Sequence, residues 1–66
     1  MILEEAKKAL SEGKKVYHRF FVNGEYIYMN GKFIYDESDT ILGTSYEFFN
    51  IRNTESWQTD WDIWID

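Results

Sequence analysis

Residues 25–35 read EYIYMNGKFIY, from Glu25 to Tyr35, and their interpretation decides the fold. Two runs rich in Tyr, Ile and Phe flank Asn30-Gly31, the strongest short-range signal for a β-hairpin. A type I′ turn centred on Asn30-Gly31 predicts that Met29 pairs with Lys32, Tyr28 with Phe33, Ile27 with Ile34 and Tyr26 with Tyr35. Residues directly opposite each other share a face, and successive residues alternate. Tyr26, Tyr28, Phe33 and Tyr35 then form an aromatic face, and Ile27 and Ile34 form the aliphatic one. One face is expected to meet a helix. The other needs a different cover or stays open.

The helix precedes the hairpin. From Ile2 to Glu12, residues Leu3, Ala6 and Leu10 fall on one stripe, with Gly13 placed to take the left-handed position that ends a helix. Lys15–Val22 (KVYHRFFV) reads as a strand, with Val16, His18, Phe20 and Val22 on one side. Residues 36–44 read as a loop. Residues 46–51 are ambiguous: Thr44-x-x-Glu47 has the form of a capping box, whereas the aromatic run YEFFNI favours a strand, the reading preferred. Asn53 or Thr54 can cap a single helical turn through Gln58. Trp61–Ile65 alternates, turning Trp61, Ile63 and Ile65 to one side and Asp62, Trp64 and Asp66 to the other. The expected fold is one α+β domain over residues 1–66. An N-terminal helix packs on a mainly antiparallel sheet of about five short strands, with a helical turn before the last strand.

A 66-residue chain buries only about 60% of its unfolded surface and is marginal without a staple. With no Cys and a single His, neither a disulfide nor a Cys/His metal site is available. Packing of thirteen aromatic rings and self-association remain. The net charge of −5 is uneven: residues 1–35 carry +2 and residues 36–66 carry −7. An acidic second half argues against direct nucleic-acid binding, which needs a basic face. No run approaches the roughly 20 apolar residues that span a bilayer. Met1 leads straight into an amphipathic segment, so no signal peptide and a cytosolic location are expected.

The residues supply little for catalysis. The serines show no nucleophile elbow, the glycines are isolated, and Asp36-x-x-Asp39 has too few ligands for a calcium loop. Asp60-x-Asp62 flanks Trp61 as a solvated edge would. No enzyme, metal or cofactor is expected. His18-Arg19 is the one basic, titratable pair within a strand. Its plain reading is a partly buried His18 with Arg19 outside; the alternative lets either residue meet a ligand phosphate. Phe21, Tyr26, Tyr28 and Phe49 either pack the core or stack on nucleobases.

The opening EEAKKALSEGKKV (Glu4–Val16), the YIYM strand (Tyr26–Met29) and the closing Asp60-Trp61-Asp62-Ile63 together resemble a family of small phage proteins. That family includes the Thoeris anti-defence sponges, which sequester cyclic ADP-ribose-type signals between subunits, and an anti-CRISPR member. The resemblance implies a phage-encoded inhibitor of bacterial defence, oligomeric and active in the host cytoplasm. Where the family commonly has Trp before Asn-Gly, this chain has Phe21. Where it often has Trp twelve residues before the closing Trp and Asp six before it, this chain has Phe49 and Glu55. On this reading Arg19 faces phosphate and Phe21, Tyr26 and Phe49 stack on the base. Glu55 takes ribose hydroxyls of a cyclic ADP-ribose-type or cyclic nucleotide signal. A second reading is an acidic plug for a nucleic-acid-binding host defence protein, anchored by Trp57 and Trp64 with Asp60 and Asp62 beside them. A third is a small phage accessory domain.

Overall fold

The hairpin forms, in a register that differs from the expected one. The computed structural model describes all 66 residues. In it β2 (Ile27–Asn30) pairs antiparallel with β3 (Phe33–Asp36), matching Asn30 with Phe33, Met29 with Ile34, Tyr28 with Tyr35 and Ile27 with Asp36. Gly31 and Lys32 make the turn, and only Gly31 has a positive φ, +62°. A glycine-first turn asks one residue for a left-handed conformation, whereas a turn centred on Asn30-Gly31 asks it of both. Each partner has moved by two residues, so the faces keep their identities. Ile27 and Ile34 are fully buried, and Tyr28 stacks on Tyr35 on the other side at 5.3 Å.

The chain order is α1 (Leu3–Ser11), β1 (Val16–His18), β2, β3, β4 (Ile41–Thr44), α2 (Ser45–Asn50), a 3₁₀ turn (Glu55–Trp57) and β5 (Trp61–Ile63). All strand pairs are antiparallel and the sheet order is β4-β3-β2-β1-β5. The fold is therefore α+β, with five strands and an N-terminal helix. No helix is long and apolar enough to cross a membrane.

Helix α1 buries Leu3, Ala6, Ala9 and Leu10 along one stripe. Gly13, at φ +83°, lets Lys14 N–H reach back to the Ala9 carbonyl, which satisfies the last turn. Val16, Ile27, Ile34, Phe48, Phe49 and Trp61 complete one core on the helix side of the sheet. Two backbone bonds, Leu3 N–H to the Gln58 carbonyl and Trp61 N–H to the Met1 carbonyl, tie the entry of α1 to the approach of β5. On the opposite face Tyr17, Tyr26 and Trp64 pack together beside the Tyr28–Tyr35 pair, and no second layer covers them.

Besides the strand expected over Trp61–Ile65, which ends at Ile63 and leaves Ile65 exposed, three segments differ from expectation. The strand foreseen over residues 15–22 stops at His18. The Phe20 N–H bonds His18 Nδ1 and the Phe21 N–H bonds the His18 carbonyl, which bends the chain and leaves Phe20 and Val22 exposed. The loop foreseen over residues 36–44 contains β4. Asp36 Oδ1 accepts from Ser38 N–H, Ser38 Oγ and Thr40 N–H, with Asp39 at φ +63°. Those bonds confine the turn to five residues and free Ile41–Thr44 to pair with β3.

The third difference is α2, which stands where a strand was preferred. Thr44 Oγ1 accepts from Glu47 N–H at 3.1 Å, and Glu47 Oε1 accepts from Thr44 N–H at 3.0 Å, so the capping box is real. A helix also turns the adjacent Phe48 and Phe49 both inward, at 3% and 5% exposure, which a strand would send to opposite faces. Thr44→Ala is expected to cost about 1 kcal/mol in urea unfolding. Thr44→Ser should recover most of it; equal losses for both would assign the effect to the threonine methyl.

Candidate functional site

His18 is the hub of the second half of the core. It is 1% exposed and ringed by Phe20, Phe21, Trp57 and Trp61 at centroid distances of 4.9, 6.3, 4.4 and 4.9 Å. Nδ1 accepts the Phe20 N–H at 3.0 Å, so Nε2 carries the proton and donates to the Thr59 carbonyl at 2.8 Å. Both ring nitrogens are spent on the backbone. The imidazole orients the segments on either side of β1 and keeps no ring nitrogen free for a ligand. The plain reading placed His18 partly buried, and the structure buries it fully.

Arg19 points the other way. Its side chain is largely exposed, 3.8 Å from Asp60 and 5.6 Å above the Phe20 ring. The chain from Arg19 to Glu25 curls back on itself, with Gly24 at φ +91° and Glu25 Oε1 accepting the Val22 N–H at 3.1 Å. This curl and the C-terminal segment enclose a cleft of about 240 Å³ whose walls include Tyr17, Arg19, Phe21, Asn23, Glu25 and Trp64. The lining combines one guanidinium, one carboxylate, one carboxamide and the rings of Tyr17, Phe21 and Trp64, with His18, Val22 and Gly24 completing it. Such a mixture can hold an anionic group, a polyol and a flat ring together.

Of the residues expected to bind a ligand, the structure brings Arg19 and Phe21 to this cleft. Tyr26 adjoins it, its ring tilted against Trp64 at 4.9 Å with the Lys15 ammonium 4.9 Å above. Phe49 lies elsewhere, packed into the core against Phe48 and Trp61. Glu55 is the exposed first residue of the 3₁₀ turn and lines neither cleft. Tyr17 and Glu25 were missed. Tyr17 could have been found from its alternation with His18, whereas nothing in the sequence marks Glu25.

The residues expected to anchor a partner are also divided. Trp57 packs beside His18 on the helix side, and Trp64 sits edge-on to Tyr17 on the open side at 5.8 Å. One flat contact cannot use both indoles. Asp62 stands opposite Tyr17 across the β1–β5 pairing and is exposed, while Asp60, at φ +70°, approaches Arg19.

Ionic and hydrogen-bonding partners shift several groups. Lys15 donates to Asp66 at 3.0 and 3.3 Å, which raises the lysine above its ordinary value and lowers the carboxylate. Tyr28 donates to Asp39, and that bond pushes the phenol up to about 12. Asp36 is lowered by its bonds from Ser38 and Thr40, and Glu47 by its bonds from Thr44. For Asp36, Glu47 and Asp66, the folded state binds protons less tightly than the unfolded chain. Their contribution is complete above the ordinary carboxylate values of 3.8 to 4.5 and is lost as pH falls through the lowered values. The melting temperature should therefore fall as pH drops from about 4.5 through the lowered values. The double variant Asp36→Asn, Glu47→Gln should melt with a flatter acid limb in a pH series of thermal scans; an unchanged limb would remove these two turns from the cause.

Comparisons with protein-family models, with curated proteins and with solved structures found no match to this chain.

Proposed function

We propose that this chain is a non-enzymatic binding protein that withholds a nucleotide-derived signal from bacterial antiviral defence in the host cytoplasm. The family resemblance supplies the biological setting. The supporting observation is the cleft where Arg19 and Phe21 meet Tyr17, Glu25 and Trp64. In this reading Arg19 opens its loose contact with Asp60 to take a phosphate, an aromatic wall stacks on the base, and Glu25 rather than Glu55 takes the ribose hydroxyls. At about 240 Å³ the cleft is small for a whole dinucleotide, so a second copy of the chain closes over the bound ligand.

Calorimetry with cyclic ADP-ribose isomers and cyclic dinucleotides tests the proposal. Binding by at least one of them is expected, weakened about tenfold or more by Arg19→Ala, which removes a charged hydrogen bond. Light scattering should give a mass above the 8.0 kDa of one chain. Absence of heat with every nucleotide at high protein concentration would sink the proposal, and a strict monomer that binds would remove the second copy from it.

A further inference from the structure

The larger of the two surface depressions lies away from the cleft, between α1 and α2. It encloses about 290 Å³ and is lined by Lys7, Ser45, Tyr46, Phe49, Asn50 and Asn53. Its position follows from helix spacing. Lys7 comes four residues after Leu3 and three before Leu10, so its stem runs beside the stripe that α1 buries. Its ammonium emerges over the Phe49 ring, 5.2 Å from the centroid, instead of projecting outward. Phe49 forms an apolar floor, and Tyr46, 78% exposed, stands at the rim.

Two features together favour an anionic occupant. Lys7 makes no ion pair: the three that form use Lys14, Lys15 and Arg19. The lining also contains no carboxylate, although the chain carries twelve acids to seven bases. A cation without a counter-ion, beside two carboxamides and two hydroxyls over an aromatic floor, is complementary to a compact oxyanion on a flat ring. We infer that the α1–α2 depression binds small aromatic oxyanions, with the anionic group on Lys7, hydrogen bonds from Asn50 and Asn53, and the ring between Phe49 and Tyr46. This site is separate from the Arg19 cleft and stands without it.

The test is a ¹H–¹⁵N NMR titration of the intact chain with benzoate and phenyl phosphate, with benzyl alcohol and inorganic phosphate as controls. Saturable shifts are expected at the side-chain amides of Asn50 and Asn53 and at the backbone of Lys7 and Tyr46. Both aromatic oxyanions should produce them, benzyl alcohol should not, and inorganic phosphate should bind more weakly. Lys7→Met should weaken binding about tenfold or more. Lys8→Met, which removes the neighbouring charge of the same helix, should leave it unchanged. Circular dichroism of both variants confirms that they fold. The inference is overturned by linear shifts spread over the surface, by shifts confined to the 19–25 curl, or by equal losses in the two lysine variants. Inorganic phosphate binding as tightly as phenyl phosphate would equally overturn the role given to the rings.

Discussion

Trp61→Ala is expected to leave the chain largely unfolded at room temperature. The indole is 1% exposed and touches His18, Phe21, Phe49 and Trp57. Its Nε1–H donates to the Trp57 carbonyl at 2.7 Å, which fastens the 3₁₀ turn to β5. Truncating a buried Trp costs about 3–5 kcal/mol. A domain of this length holds a total of about 3–10 kcal/mol, so the loss is comparable to the whole. Urea titration followed by far-ultraviolet circular dichroism measures it. Trp61→Phe keeps most of the ring volume but drops the donor, and should lie well between the alanine variant and the parent. If alanine lowers stability by less than about 1 kcal/mol, the packing described around Trp61 is wrong.

His18→Leu comes second. Leucine supplies an apolar side chain of suitable bulk but abandons the Phe20 N–H and the Thr59 carbonyl in a partly buried setting. An orphaned buried backbone group costs about 1–3 kcal/mol, and with water able to reach these two in part the variant should lose about 2–3 kcal/mol. The loss should be accompanied by faster hydrogen exchange at Phe20, whose amide has then lost its acceptor. His18→Asn, short but able to bond, should recover little, because it cannot reach both partners across the ring. Preserved protection at Phe20 in the leucine variant would show that another group takes the amide and would dismiss the bracing role.

These two residues also show where reading from sequence succeeds and where it stops. Helix α1 and the β2–β3 hairpin were legible because their signals are local: an apolar stripe ending in glycine, and two aromatic runs around a turn. The hairpin faces survived even a misplaced turn, because a shift of two residues per partner preserves alternation. The 46–51 segment was misread because composition was weighed above the Thr44–Glu47 box. What decided it was the need of neighbouring Phe48 and Phe49 for one common core. The inward Trp61 was legible from strand alternation, whereas Ile65 lay beyond the end of that strand.

The candidate site divides by the same rule. Arg19 and Phe21 reach one cleft because only Phe20 separates them on a short stretch of chain. Phe49 and Glu55 were expected to join them from a distant part of the sequence. Their placement depended on whether α2 was helix or strand, and on which side of the sheet the 3₁₀ turn would pack. The Thr44–Glu47 box carried the first of these, and no local pattern carries the second. Glu25 enters the cleft through the same 19–25 curl, held by its own bond to the Val22 N–H, and neither its charge nor its neighbours announced it.

The adjacency of β1 and β5 governs the timing of assembly. During synthesis α1, β1 and the hairpin leave the ribosome first, yet the groove between them stays open until the final strand arrives. Closing that gap joins distant segments, a step that is slow relative to turn and helix formation. Until then the nascent chain presents the greasy walls around His18 to whatever chaperone or neighbour it meets, and the arrival of β5 decides when that exposure ends.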